Sequence, residues 1–514
     1  MFSKVKSCAV HGVDGRMIDV EADVNDGLPV FTMVGYLSSS VRESSERVRT
    51  ALKNSGFHLP PKRITINLSP ADMRKDGSGY DLAIATAVLL SLGVTAELSM
   101  EQTLVLGELS LDGSIKAIPG VLPMVICARE EGMTSCIVPK ENVQEAALAQ
   151  GISVIGVSSL KETMEYIQGI KEYENTNVEQ PAVDTSEYLY DIDFSDVVGQ
   201  ESIKRGMEIA AAGFHNVLLT GAAGAGKSML AKRLPTILPQ MSFEESLEVT
   251  KIYSVGGMLP PEGGLIHGRP FRAPHHTISE YALIGGGRVP TPGEVSFAHY
   301  GVLFLDELPE FSKPVLEVLR QPLEDRRIRI SRVQASYEFP ADFMFVAAMN
   351  PCPCGNYPDY RRCSCTEQQI RRYQSKVSGP LLDRIDIRME VKGVKQEVLF
   401  SKQKTESSKT IRARVEQARQ MQKERFAGTG LLFNSQLDGK NLEEYITLSE
   451  EGKRLVLQLF EEQELSVRGV HRVLKLARTI ADLAGSEEIE HAHLQEAAFY
   501  RNQDVFAKEV LYGN

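Results

Sequence analysis

One stretch limits what this chain can fold into more than any other. His215-Asn-Val-Leu-Leu-Thr220 is followed by Gly221-Ala-Ala-Gly224-Ala-Gly226-Lys227-Ser228 and then by Met229-Leu-Ala-Lys-Arg-Leu. A short apolar run, a glycine-rich turn and a helix-forming segment in that order read as strand, loop and helix. The glycines let successive backbone N–H groups curl round a phosphate, and the helix start adds its positive dipole end. In such a loop Lys227 meets the β and γ phosphates and the Ser228 hydroxyl ligates Mg²⁺. A glycine-rich turn can arise by chance, so the reading needs a second motif.

Gly301-Val-Leu-Phe-Leu-Asp306-Glu307 supplies it. A continuous apolar run is the pattern of a strand buried on both faces of a parallel sheet. Its two terminal acids then lie at the C-terminal end of the strand, where such sheets bind ligands. Asp306 suits the organisation of Mg²⁺, and Glu307 the base that orients or deprotonates attacking water. Taken alone the pair could cap the next helix; beside a phosphate loop the catalytic reading prevails. A third run, Phe343-Met-Phe-Val-Ala-Ala-Met-Asn350, ends in an amide suited to holding that water, or to turning the chain before Pro351. Arg384, in SGPLLDRIDI, is placed like a finger that reaches a neighbouring subunit's γ-phosphate. Arg468, in LSVRGVHRVLKLAR, opens a helix and is a nucleotide sensor candidate, with Arg472 the weaker one. Out of context either arginine reads as a surface ion pair. Expected catalytic residues are therefore Glu307, Lys227, Arg384 and Asn350. Expected nucleotide contacts are Gly221, Gly224, Gly226, Lys227, Ser228, Asp306 and Arg468, with Ser228 and Asp306 on Mg²⁺.

At 514 residues the chain exceeds one core. Residues 1–168 alternate β-like runs (ITINLS, SCIVP, ISVIGV) with helical stretches and predict an α/β domain. A polar, acidic linker over 169–192 precedes an α/β ATPase core over 193–392 with a parallel sheet. A linker over 393–411 leads to an all-helical lid over 412–514, where apolar residues recur at helical spacing. The long interval 240–295 predicts an inserted hairpin or helix. Within it, His275 and His276 are expected on opposite faces of an extended segment, in structural or interface roles. Seven cysteines without a secretory signal point to the cytoplasm, and no apolar run is long enough for a membrane. The net charge of −11 argues against coating nucleic acid by total charge, leaving a local basic surface.

Longer strings are more specific. FRAPHHTIS (271–279), GGGRVPTPGEVSFAHYGVLFLDELPEF (285–311), NPCPCG (350–355) and SGPLLDRID (378–386) resemble the magnesium-chelatase-like AAA+ group. With GLPVFTMVGYLSSSVRESSERVRTALKNSGF (27–57) the chain is similar to ComM/YifB-type proteins over nearly its whole length. The resemblance implies a ring-forming, Mg²⁺-dependent ATPase, expected as a hexamer. It implies a helicase that promotes branch migration during recombination of transforming DNA. The rival readings are a chelatase-type motor that remodels a protein partner and a nucleotide-gated scaffold; a scaffold needs neither Glu307 nor Arg384. The strings at 70–87 and 106–123 resemble the Lon-protease-like (S5-fold) domain. The positions matching its serine and lysine are Gly79 and Leu122, with Ser78 and Lys116 displaced, so this domain is expected to be non-catalytic and used for DNA binding or assembly.

Two further patterns concern partners and metal. Arg326 to Pro340 alternates basic and apolar residues, breaks near Arg332–Ser336 and alternates again, which predicts a hairpin. In related ring helicases a hairpin here projects into the pore, so Arg329 and Arg332 are expected on DNA phosphates; a solvated surface hairpin is the plain alternative. Cys352-x-Cys354 and Cys363-x-Cys365 can surround Zn²⁺ with four thiolates or form a reduced, metal-free loop. Cys8, Cys127 and Cys136 read as small core residues.

Overall fold

The computed structural model describes residues 1–96, 100–172, 190–260, 264–332, 335–359, 361–393, 405–462 and 466–501. Most of the first predicted linker and most of the second lie outside them.

The N-terminal part is a seven-stranded mixed sheet in the order Val30–Val34, Arg63–Ser69, Asp14–Asn25, Phe2–His11, Thr103–Val105, Ser135–Pro139, Ser153–Val157. Its two longest strands form one hairpin, with Phe2 opposite Asp23 and His11 opposite Asp14. The sequence reading placed strands at 64–69, 135–139 and 152–157 but missed this hairpin, although Ile18, Val20, Ala22 and Val24 alternate inward. Helices Ser39–Asn54 and Asp81–Ser91 were legible. The second is buried on nearly every side and packs on the long strands.

The core sheet is five parallel strands in the order Phe271–Arg272, Val302–Leu305, Met344–Met349, Val217–Thr220, Ile387–Glu390. Successive side chains face opposite ways, and both faces are covered. Val217, Leu219, Val346 and Met389 pack in one cluster with Val415, Leu476 and Leu494 from the C-terminal helices. Leu218, Leu303, Leu305 and Ala347 turn to the other face, against Leu316 and Leu381. Every element of the described residues 405–501 is helical, so the C-terminal helices complete the core of the sheet. The first of them, Ser408–Arg425, starts inside the stretch read as linker, because the Ser407 side chain accepts from Thr410 N and caps it.

The 240–295 excursion holds a helix, Phe243–Val255, a one-turn helix, Glu280–Ile284, and a small ladder pairing Gly285–Gly286 with Thr291–Pro292. The Phe243–Val255 helix packs on helices of the N-terminal part: Ser254 accepts from Gly120 N at 3.0 Å through its carbonyl and donates to Glu145 at 2.5 Å through its hydroxyl. The predicted basic hairpin is present, with Arg327–Ser331 paired to Ser336–Pro340. It is not free-standing. Ile328 and Phe339 are buried at its base, and Tyr337 stacks on His11 of the N-terminal domain at 4.4 Å. Among the described residues no helix is long and apolar enough to cross a membrane.

Candidate nucleotide site

Because all five core strands are parallel, their C-terminal ends share one edge, and the three sequence motifs meet there. The loop leaves Thr220, the acids follow Leu305 and the amide follows Met349. Gly221 has to lack a side chain: a Cβ there would lie 2.2 Å from the Val391 carbonyl oxygen. Gly224 and Gly226 turn the loop with φ of +76° and +97°.

Lys227 folds back over this loop. Its Nζ donates to the carbonyls of Gly221 (2.6 Å) and Ala222 (2.9 Å) and to Asn350 Oδ1 (2.9 Å), not to a carboxylate. Burial lowers its pKa, opposed by Asp306 and Glu307. Ser228 Oγ donates to Asp306 Oδ2 at 2.5 Å, so the two groups expected on Mg²⁺ are already adjacent. This donor set fits a magnesium nucleotide: a buried lysine whose ammonium ion has no carboxylate contact, a hydroxyl beside an acid, and a loop whose backbone needs glycine. Glu307 sits at φ +53°, a left-handed conformation uncommon for a side chain of its size. The turn aims its carboxylate outward, 60% exposed.

Sequence reasoning missed one neighbour. His276 Nδ1 lies 3.9 Å from Glu307 Oε2, and its ring packs on His275 with centroids 4.1 Å apart. The expectation of opposite faces is corrected. The segment is a turn, closed by Ile278 N donating to the His275 carbonyl at 3.0 Å, and a turn brings adjacent side chains together. The HH pair was visible in the sequence, but its reach to Glu307 was not.

Arg384 and Arg468 lie elsewhere. Both line a cavity of about 280 Å³ together with Asn216, Phe343 and Asp386. Those three residues immediately precede the strands starting at Val217, Met344 and Ile387, so the cavity is at the N-terminal edge of the sheet. Arg468 therefore groups with Arg384 and not with its own chain's loop and acids. Arg384 pairs with Glu324 and donates to Pro380 O at 2.8 Å, while its Nε is buried without a partner among the described residues. Arg472 is committed to Asp386 at 2.5 Å. Burial alone would raise the Asp386 pKa, but Arg472, His215 and Lys475 hold it far below the usual carboxylate range. From Asp386 a buried network runs through His215 and Thr479 to Asn434 and Asp482. It ties this edge to the C-terminal helices.

The remaining candidates divide as follows. Arg329 is exposed and pairs with Glu338 at 3.1 Å, an acid it shares with Arg327. Arg332 donates to Gly287 O at 3.1 Å and borders an open groove with Tyr281 and Arg288. The Sγ atoms of Cys352, Cys354, Cys363 and Cys365 all lie within 4.8 Å of one another. In the N-terminal domain Gly79 has no side chain, Leu122 is fully buried and the Ser78 hydroxyl donates to Glu108.

Comparison with known proteins bears on the whole chain. Three family models match in series: subunit ChlI of Mg-chelatase over residues 20–142, magnesium chelatase subunit ChlI over 193–399, and the ChlI C-terminal region over 405–501. YifB of Escherichia coli is 41% identical over 98% of this chain and 97% of its own length. Competence protein ComM of Haemophilus influenzae is 40% identical over 97% of each. The chain belongs to the ComM/YifB-type magnesium-chelatase-like family. Lon protease 2 of Bacillus subtilis matches at 29% identity over 32% of each chain, a partial relationship.

Proposed function

We propose that this ComM/YifB-type protein is an ATP hydrolase that works as a ring, most simply a hexamer, and moves DNA. One observation carries the ring: the loop and acids occupy one edge of the parallel sheet, and Arg384 and Arg468 the other. A four-residue strand rises about 13 Å, so the arginines complete a site only on a neighbouring chain. Glu307 positions and deprotonates water, Asn350 holds it, and Lys227 neutralises the phosphates. Bound Mg²⁺, on Ser228 and Asp306, supplies charge stabilisation. A neighbour's Arg384 meets charge as it develops, and Arg468 reads the same nucleotide from that side.

DNA is the favoured track because Arg329 and Arg332 stand exposed on a hairpin that packs on the N-terminal domain through Tyr337, near its turn. Arginines in a channel give affinity that follows salt and ignores sequence. The relationship to ComM directs the reading to branch migration in the recombination of transforming DNA. The N-terminal domain acts in assembly or DNA binding, not peptide cleavage, and the four thiols hold Zn²⁺. The chelatase family models favour a second reading, a motor remodelling a protein partner. ATP turnover with and without forked DNA, followed by strand displacement, separates them. Stimulation and displacement support the DNA motor; turnover indifferent to every DNA tested refutes it.

A further inference from the structure

The turn that carries two of four clustered cysteines lies against the candidate nucleotide site. Sγ separations are 3.4 Å for Cys352–Cys354, 3.8 Å for Cys352–Cys363 and 3.6 Å for Cys354–Cys363. Four thiolates at about 2.3 Å from a tetrahedral Zn²⁺ sit about 3.8 Å apart, whereas a disulfide would need about 2.05 Å. The surroundings orient two of the sulfurs: Tyr357 N donates to Cys352 Sγ at 3.4 Å, and Asn356 Nδ2 approaches Cys354 Sγ at 3.9 Å.

The turn that carries Cys352 and Cys354 closes through Gly355 N donating to Cys352 O at 3.0 Å. Gly355 has φ +81°, and a Cβ built on it would lie 3.3 Å from Ala223 N in the phosphate loop and 3.9 Å from Asn350 Cγ. Ala223 is flanked by Ala222, whose carbonyl holds Lys227, and Asn350 holds the same lysine from the other side. Behind the turn, fully buried Gln374 donates to Pro351 O at 2.9 Å.

We propose that Cys352, Cys354, Cys363 and Cys365 hold one Zn²⁺ and that the metal-clamped turn is a strut that positions the phosphate loop and Asn350. Zinc then sets the competence of the nucleotide site without touching nucleotide. This rests on the ATP reading above and adds a control to it. Without metal, four clustered thiols have little to hold them together, and the turn leaves the loop.

The test uses the full-length protein, with zinc content by mass spectrometry, affinity for a fluorescent ADP analogue, and kcat and KM for ATP. Cys365→Ser should lose zinc and weaken both nucleotide binding and turnover by about 10-fold or more. Cys365→His, which keeps a zinc ligand, should restore zinc and both readouts. Gly355→Ala should keep full zinc yet measurably lower turnover, because the added Cβ would stand 3.3 Å from Ala223 N and press on the loop. Wild-type protein without stoichiometric zinc, and without stoichiometric uptake, overturns the metal site. Zinc-free Cys365→Ser with wild-type affinity and turnover, or zinc-loaded Gly355→Ala with both unchanged, overturns the strut. Zinc-loaded wild-type protein that binds but never hydrolyses ATP refutes the proposed function instead, and nucleotide affinity then still decides the strut.

Discussion

If the two edges of one sheet serve two different hydrolytic sites, defects on opposite edges should complement. Lys227→Ala removes the phosphate contact but leaves Arg384, whereas Arg384→Ala keeps loop, acids and Asn350 but removes the finger. Alone, each should lose turnover by about 10³-fold or more. Now let the two be mixed as dissociated protomers before ATP is added, so that rings form at random. In an equal mixture half the boundaries take their loop from an Arg384→Ala chain. Half of those receive the guanidinium from a Lys227→Ala chain, giving about a quarter of the wild-type number of intact sites in a closed symmetric ring. At other ratios the yield should follow the product of the two fractions and fall symmetrically. Single-turnover phosphate release is the assay, because it reads each site without requiring the ring to cycle. The structural reason is distance: Arg384 is held at the N-terminal edge by Glu324 and Pro380, with the core between it and its own loop. Mixtures no more active than their parents at any ratio, or Arg384→Ala alone at full rate, would refute the reasoning.

Other consequences follow from single residues. Glu307→Gln should bind ATP, fail to hydrolyse it and trap assembled rings visible by sedimentation; rapid hydrolysis removes Glu307 from its role. Asp386→Asn should destabilise by about 3–5 kcal/mol, because Arg472 and Lys475 lose their buried counter-charge; thermal melting at neutral pH checks this. The folded-state pKa of Asp386 is depressed below its unfolded value of 3.8, so its contribution is present above that pH and drains away as the pH falls further. Wild-type melting should therefore decline more steeply below about pH 4 than that of Asp386→Asn, and parallel curves would contradict it. Arg332→Ala should leave basal turnover intact and flatten stimulation by DNA, with a shallower salt dependence; an unchanged response to DNA rules out the hairpin contact.

Local patterns carried the nucleotide half of the site. The loop, Asp306, Glu307 and Asn350 each end an apolar run, and parallel pairing brings the ends of such runs together, so their meeting was legible from strand order alone. The basic hairpin was legible for the same reason, since alternation and a break define a ladder. Other features depended on contacts far apart in the chain. The turn at His275–Ile278 reversed the expected facing of the two histidines and brought His276 toward Glu307. Gly355 meets Ala223 only because the cysteine turn folds back across the loop.

By itself, then, the order of residues determined which groups are present: a glycine-rich loop with its lysine and serine, two acids, an amide, two arginines and four thiols. What the tertiary structure decided is where each group can act. A parallel sheet separates what lies before its strands from what lies after them, and that separation places Arg384 and Arg468 across the core from their own chain's glycine-rich loop and acids. No pattern within a segment encodes such a distance, because it is set by how strands pair across the core.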